Sequence, residues 1–192
     1  YQLSDTLSTF MLYKYETTEI SNESLALQES IVLYPDIATA TDSTTSSVTA
    51  SISRNTTDYR LDPSSGMTNS LSVEFAGLGG TNKFLRTIGQ TAQFFPVGLG
   101  TVFMVRGTFG HVAEMGAPVS IDEKFYLGGI STVRGYDNRT ISPYVVIPRY
   151  DSVTGAKNGE DNAFVGGDTE VYFNAEYTFP LLKEAGVKGV MF

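Results

Sequence analysis

Arg134 is the residue of this chain best equipped for a directed polar interaction. It lies in Phe125-Tyr126-Leu127-Gly128-Gly129-Ile130-Ser131-Thr132-Val133-Arg134-Gly135-Tyr136, a lone charge among three glycines in a segment rich in loop residues. A planar guanidinium suits a carboxylate, which it can grip through two parallel hydrogen bonds, and in a low-dielectric setting it requires such a partner. The carboxylates that a strand pattern could bring to it are Glu74, Glu170 and Glu176, and the sequence does not choose among them. Other chemistry is scarce. With no cysteine and one histidine, His111, the chain excludes thiol catalysis, disulfides, thiolate zinc sites and histidine metal clusters. His111 itself is expected to be a strand-end residue. There is no Gly-x-Ser-x-Gly elbow and no convincing acid pair, so no catalytic residue, metal or cofactor is expected.

The elements that must position Arg134 are strands. A formal net charge of -8 argues against a phosphate-binding surface and hence against nucleic acid as a partner. The 192 residues include 19 Gly, 11 Tyr and 12 Phe, with abundant Ser and Thr and no Trp, the composition of a turn-rich β protein. No apolar run approaches the ~18 to 20 residues of a membrane-spanning helix. Spanning strands need only about 9 to 11 residues and alternate apolar with polar, so their hydropathy averages near neutral. Tyr1 opens directly in a strand-like pattern, and the N-terminus reads as cut, so the missing signal peptide is uninformative.

Alternation predicts strands over residues 3–15, 47–54, 69–78, 84–95, 101–112 and 168–179, with a further strand starting at Gly189, about seven in all. Val48, Ala50 and Ile52 share one face, as do Leu71, Val73 and Phe75, and the pattern is cleanest at Val171, Phe173, Ala175, Tyr177 and Phe179. Residues 84–95 are less regular, because Arg86 and Gln90 break the face formed by Phe84, Ile88, Ala92 and Phe94. Between the strands, 17–45 reads as a long loop, with a local helix or hairpin at 25–34, and 113–163 as a very long one. The glycines of Gly77-Leu78-Gly79-Gly80-Thr81-Asn82 precede no helix and read as a turn of medium length, not as a phosphate cradle.

These connections alternate between long and short, and in an antiparallel up-and-down sheet alternate connections lie at the same end. That is the asymmetry of an outer-membrane barrel. The fold expected is therefore all-β, an antiparallel up-and-down transmembrane β-barrel, present here as a fragment of a larger barrel. Apolar faces would meet lipid, and Glu74, Arg106, Glu170 and Glu176 would face the lumen. A soluble β-sandwich or jelly roll gives the same alternation with the apolar face turned to a core, but strand length, connection order and aromatic content favour the barrel.

Val133-Arg134-Gly135-Tyr136, preceded by Phe125-Tyr126-Leu127-Gly128-Gly129 and Ser131-Thr132, resembles the loop signature of the outer-membrane insertase family. Ser53-Arg54-Asn55-Thr56 through Asp62-Pro63-Ser64-Ser65-Gly66 is similar to that family's strand-to-turn segment, and Asn174-Ala175-Glu176-Tyr177-Thr178-Phe179-Pro180-Leu181 to the strand after its signature loop. The resemblance covers most of the chain from about Ser46 onward.

It implies that residues 1–192 are part of one barrel domain in the bacterial outer membrane, with long outer loops over about 17–45 and 113–163 and no second domain. The complete protein would be a non-enzymatic factor that folds and inserts other barrel proteins. Its partners would be outer-membrane lipid, nascent outer-membrane barrel proteins and, through periplasmic domains upstream, accessory assembly lipoproteins. Gly128, Gly129, Val133, Arg134, Gly135 and Tyr136 would form a loop folded back into the lumen. The family's usual acidic partner for that arginine falls on the strand that begins here at Gly189, beyond Phe192, which reads as an internal cut and not as a terminal signal. A related transporter, TamA-like or a two-partner secretion pore, shares the loop signature. A soluble β-sandwich binding module is the alternative from another class.

Overall fold

The structure, a computed structural model, describes residues 1–19, 42–116, 118–151, 153–182 and 185–192. Its strands are β1 (Leu7–Glu19), β2 (Asp42–Asn55), β3 (Gly66–Gly80), β4 (Phe84–Gly98), β5 (Thr101–Glu114), β6 (Tyr144–Tyr150), β7 (Lys157–Phe164), β8 (Thr169–Leu182) and β9 (Val187–Met191). Seven of them form one antiparallel sheet in the order β1-β2-β3-β4-β5-β8-β9, whose edges are β1 and β9. The other two, β6 and β7, pair only with each other. Sequential neighbours pair throughout the main sheet except where β5 passes to β8, which is the up-and-down arrangement expected.

β2 to β5 and β8 have 14 or 15 residues each, longer than the alternation indicated, while β1 has the 13 residues expected but runs from Leu7 to Glu19 and not over 3–15. At about 3.3 Å per residue such a strand is roughly 45 Å long, which when tilted by about 45° covers the hydrocarbon layer with residues to spare. The outward face is largely apolar on β1 to β3, β5 and β8, where Met11, Ile52, Leu71, Phe75, Phe109 and Phe173 are exposed. A soluble sandwich would cover that face with a second sheet; among the described residues no second layer packs on it, which suits lipid-facing strands.

Several local expectations are corrected. Thr17–Glu19 and Asp42–Thr45 belong to β1 and β2, not to a long loop; residues 20–41, with the helix or hairpin expected at 25–34, lie outside the described residues. Gly77, Gly79 and Gly80 stay within β3, so the connection to β4 shrinks to residues 81–83 and is shorter than the 56–65 turn at the opposite end. The segment 113–163 is not patternless, for it holds a 3-10 turn, Ile121–Glu123, and the β6–β7 hairpin.

The largest correction concerns β4. Its apolar set was expected to meet lipid, yet Phe84 is fully buried and Ala92 nearly so on the inner face, together with Arg86. The outward positions are instead Leu85, Thr87, Gly89, Thr91 and Gln93, and Thr91 hydrogen-bonds Asn69 of β3 at 2.7 Å. The physical reason is that the inner face of β4 is covered around Phe84. Phe84, Ala76 and Val112 of the wall pack with Val119 and Phe125 of the long connection, forming the core on the concave side of the sheet.

Candidate functional site

The segment from β5 to β8 folds back over the concave face of the sheet and is fastened there from its stem upward. At the stem, Val112 N donates to Asp168 O at 2.8 Å, Phe125 and Gly167 exchange two hydrogen bonds of 2.9 Å, and Lys124 pairs with Asp168 at 3.0 Å. Phe125 can approach the wall closely because its neighbour there is Gly110, where a Cβ would stand 2.8 Å from the ring.

Beyond the stem, the signature residues build a closed turn. Leu127 and Ile141 exchange hydrogen bonds of 2.9 and 3.0 Å, Gly129 N donates to Tyr136 O at 3.0 Å, and Thr132 Oγ1 both accepts from Gly128 N at 2.8 Å and donates to Gly128 O at 3.0 Å. Gly128 has φ +109, and a side chain there would also run into the carbonyl oxygen of Asp137. Only glycine meets both conditions without strain. Arg139 lies 3.7 Å over the Tyr126 ring, and the Tyr126 hydroxyl donates to Ile121 O at 2.9 Å, which ties the turn to the 3-10 segment before it. Ile130 and Tyr136 remain exposed.

Of the three carboxylates open to Arg134, the structure brings Glu176 to it, with Nη2 2.6 Å from Oε1. Asn174, two residues earlier on the same face of β8, donates to Thr132 O at 2.9 Å, and Arg134 also lies 4.3 Å over the ring of Phe192. The second terminal nitrogen of Arg134 is buried without a hydrogen-bond partner among the described residues. Glu170 and Arg106 share the inner face with Glu176, opposite Gly110 and Asn174 respectively, and are not drawn to Arg134. His111 is an exposed residue of β5 whose Nδ1 is 2.9 Å from Thr169 Oγ1.

Glu74 serves a different partner, and here the sequence reading missed a site. Its Oε2 is 2.9 Å from Arg86 Nη1, and its Oε1 accepts from Ser47 Oγ at 2.7 Å. The other terminal nitrogen of Arg86 reaches Glu123 of the loop, 2.6 Å from Oε2, and also donates to the Glu123 carbonyl oxygen. Lys14 of β1 stands 3.1 Å from Glu123, 3.8 Å from Glu74 and 3.2 Å from Glu16, and Thr45 Oγ1 of β2 donates to Glu123 at 2.9 Å. Side chains of three strands, β1, β2 and β4, thus meet one loop carboxylate, whose side chain is 7% exposed, while Glu74 of β3 binds the same two cations. Burial works to raise the Glu123 carboxyl, but the Arg86 hydrogen bond and the charges of Arg86 and Lys14 outweigh it and hold the group below its usual range. Beside it, Asp122 accepts from Thr18 and Ser43 hydroxyls, both at 3.3 Å.

Chemically the arrangement holds a loop in place. Two anchors, one on β1 to β4 and one on β8, fix either end of the stretch from Glu123 to Arg134, with an apolar patch beneath.

Comparison with known proteins accords with this architecture. The model of the Omp85 superfamily domain matches residues 1–192. The outer membrane protein assembly factor BamA of Nitratidesulfovibrio vulgaris is 30% identical over 142 residues, which is 72% of this chain and 16% of that protein. BamA of Neisseria meningitidis serogroup B is 31% identical over 130 residues, 67% of this chain and 15% of that protein. The chain therefore spans under a fifth of the length of these curated relatives. Among solved structures, the crystal structure of BamA from Haemophilus ducreyi lacking POTRA domains 1-3 superposes with a TM-score of 0.69 at 14% identity, over 93% of this chain and 35% of that one, a likeness of fold. The sheet is that of a bacterial outer-membrane β-barrel, and the chain belongs to the Omp85 superfamily.

Proposed function

We propose that residues 1–192 are part of the single barrel domain of an outer-membrane protein insertase, a non-catalytic factor that folds β-barrel proteins and inserts them into the outer membrane. The observation that carries this reading is the Val133-Arg134-Gly135-Tyr136 loop held against the inner wall by the 2.6 Å Arg134–Glu176 pair, in a chain of this family. Gly128, Gly129 and Gly135 give the loop its shape, and Arg134 gives it its attachment. The relatives named as assembly factors support the same role. Outer-membrane lipid surrounds the apolar band, nascent barrel proteins are the clients, and accessory lipoproteins engage periplasmic domains of the intact protein.

The test is complementation. Cells depleted of the native gene product receive the intact protein, unaltered or carrying Arg134→Ala, and the amount of folded outer-membrane barrel protein is measured. Lower levels with Arg134→Ala are expected; equal levels, with the variant present in equal amount, would overturn the reading.

A further inference from the structure

We propose that Arg54 and Asn69 seat the headgroup of one anionic phospholipid of the periplasmic leaflet, whose acyl chain lies along the outward face of β2. The proposal stands on the membrane-barrel fold and not on the insertase role. It makes part of the bilayer a bound ligand.

Register sets the row of residues at this point. Arg54 of β2 stands opposite Leu7 of β1 and Asn69 of β3, and Asn69 stands opposite Thr91 of β4. Ser47 and Glu74 meet on the inner side, so alternation turns Arg54, Ile52 and Ala50 outward together with Asn69, Leu71 and Val73. Arg54 is exposed there, and among the described residues its guanidinium has no hydrogen-bond or ion-pair partner. Both flanking strands and the turn that follows β2 are present, so its neighbourhood within the sheet is complete.

Asn69 complements the arginine. Its carbonyl oxygen accepts from Thr91 Oγ1 at 2.7 Å, which leaves its amide nitrogen without a partner among the described residues. Residues directly opposite on paired strands have Cβ atoms about 5 Å apart. A guanidinium and an amide side by side present only donors, and the planar fork of arginine matches two oxygens of a phosphate. With no carboxylate paired to Arg54, the seat keeps a net positive charge and favours a headgroup of net negative charge. A cation on a lipid-facing surface is costly unless it reaches the interface and gains such a partner.

Position selects a lipid as the source of that phosphate. Arg54 is the last residue but one of β2, at the end of the sheet that carries the turns 56–65 and 99–100, and the short turns of outer-membrane barrels face the periplasm. A groove starts beside the guanidinium, lined by Leu7, Ile52, Asn69 and Leu71. From Ile52 and Leu71 it continues over Ala50, between Met11 and Val73. Those two flank Ala50 across the ladder, so the floor there is a single methyl group between taller side chains. From Arg54 to Ala50 the strand rises about 13 Å, a path that an extended acyl chain can follow from the interface toward the bilayer centre. Free phosphate would leave this groove empty.

The experiment takes the intact protein in detergent micelles holding equal amounts of dioleoyl phosphatidylglycerol and dioleoyl phosphatidylcholine, and counts retained lipids by native mass spectrometry. Phosphatidylglycerol is expected to be kept in preference, and Arg54→Gln to lower its retention about tenfold through loss of a charged two-point contact. Arg60→Gln, the same charge change at an exposed arginine of the neighbouring turn, should leave retention as it was. Ala50→Phe, which fills the groove and spares the headgroup seat, should lower it. Asn69→Leu should lower it about threefold while suiting the lipid face, and so decides the matter should Arg54→Gln fail to fold. Variants are compared at equal β content by circular dichroism. Equal retention by the parent and Arg54→Gln would overturn the proposal and leave Arg54 to water or to a periplasmic protein segment. An equal loss in Arg60→Gln would overturn it in favour of diffuse charge, as would the absence of any preference for the anionic lipid. Because no client is present, the outcome is independent of the complementation test.

Discussion

Arg86 and Glu123 meet at 2.6 Å although 37 residues separate them, and the contact joins the barrel wall to the loop that covers it. Both side chains are largely buried, so each depends on the other to offset its loss of water. The loop is thereby part of the wall's own charge balance and not an ornament laid upon it.

This dependence has a pH consequence. The folded-state carboxyl of Glu123 is held below its ordinary value of 4.5, so its contribution to docking is complete above that value and is lost as pH falls through the depressed one. Protease protection of residues 113–163 should stay constant from about pH 8 to 5 and decline in more acid solution. The Glu123→Gln variant should lack that acid step, which a protection profile across the same range will check.

At the other anchor, Arg134→Ala leaves the Glu176 carboxylate without its cation. Charge-assisted contacts of this kind contribute about 1 to 3 kcal/mol, and partial exposure places this one toward the lower end. Glu176→Gln should have a similar effect on cleavage of residues 126–142. A Glu176→Gln loop as resistant as the unaltered one would show that the pair contributes nothing.

Gly128→Ala tests the turn itself. With φ at +109 and the Asp137 carbonyl in the way, alanine should cost more than about 1 kcal/mol, read as faster cleavage near 126–142 without change in β content.

The two faces of the sheet can be separated by neighbouring residues on β3. Val73 faces outward and Ser72 inward, as their alternating places opposite Ala50 and Ser51 require. Val73→Lys should lower folding yield in lipid vesicles, with a cost of about 2 to 4 kcal/mol if the residue sits near the bilayer midplane, whereas Ser72→Lys should fold nearly as well as the parent. Equal yields would contradict the assigned faces.

The sequence made most of this sheet legible because β2, β3, β5 and β8 each have lipid on one side and polar surroundings on the other. Alternation then reports the face directly, as at Val171, Phe173, Glu170 and Asn174. β4 defeated the rule since the loop makes its inner side apolar, and the polar Arg86 and Gln90 that interrupted the pattern were the correct signal. β6 carried a readable run, Tyr144-Val145-Val146-Ile147, but its partner Lys157–Phe164 shows no apolar residue before Ala163 and so no alternation to read. Arg134 was identifiable from its motif, whereas the choice of Glu176 depends on the height at which Thr132 meets Asn174. Glu123 was invisible: Lys14 lies 109 residues away, and Ile121-Asp122-Glu123-Lys124 reads as an ordinary charged turn.

Phe84 and Val112 turn fully buried side chains toward the inside of the sheet, where a water-filled conduit would wet them. Removal of the loop would leave these rings and methyls facing solvent, so the wall itself disfavours an empty bore. Wall and loop are related as mould and cast: the shape and greasiness of one are the record of the other. Grafting a foreign loop onto these strands should accordingly fail unless it brings both an apolar cover for Phe84 and a carboxylate for Arg86.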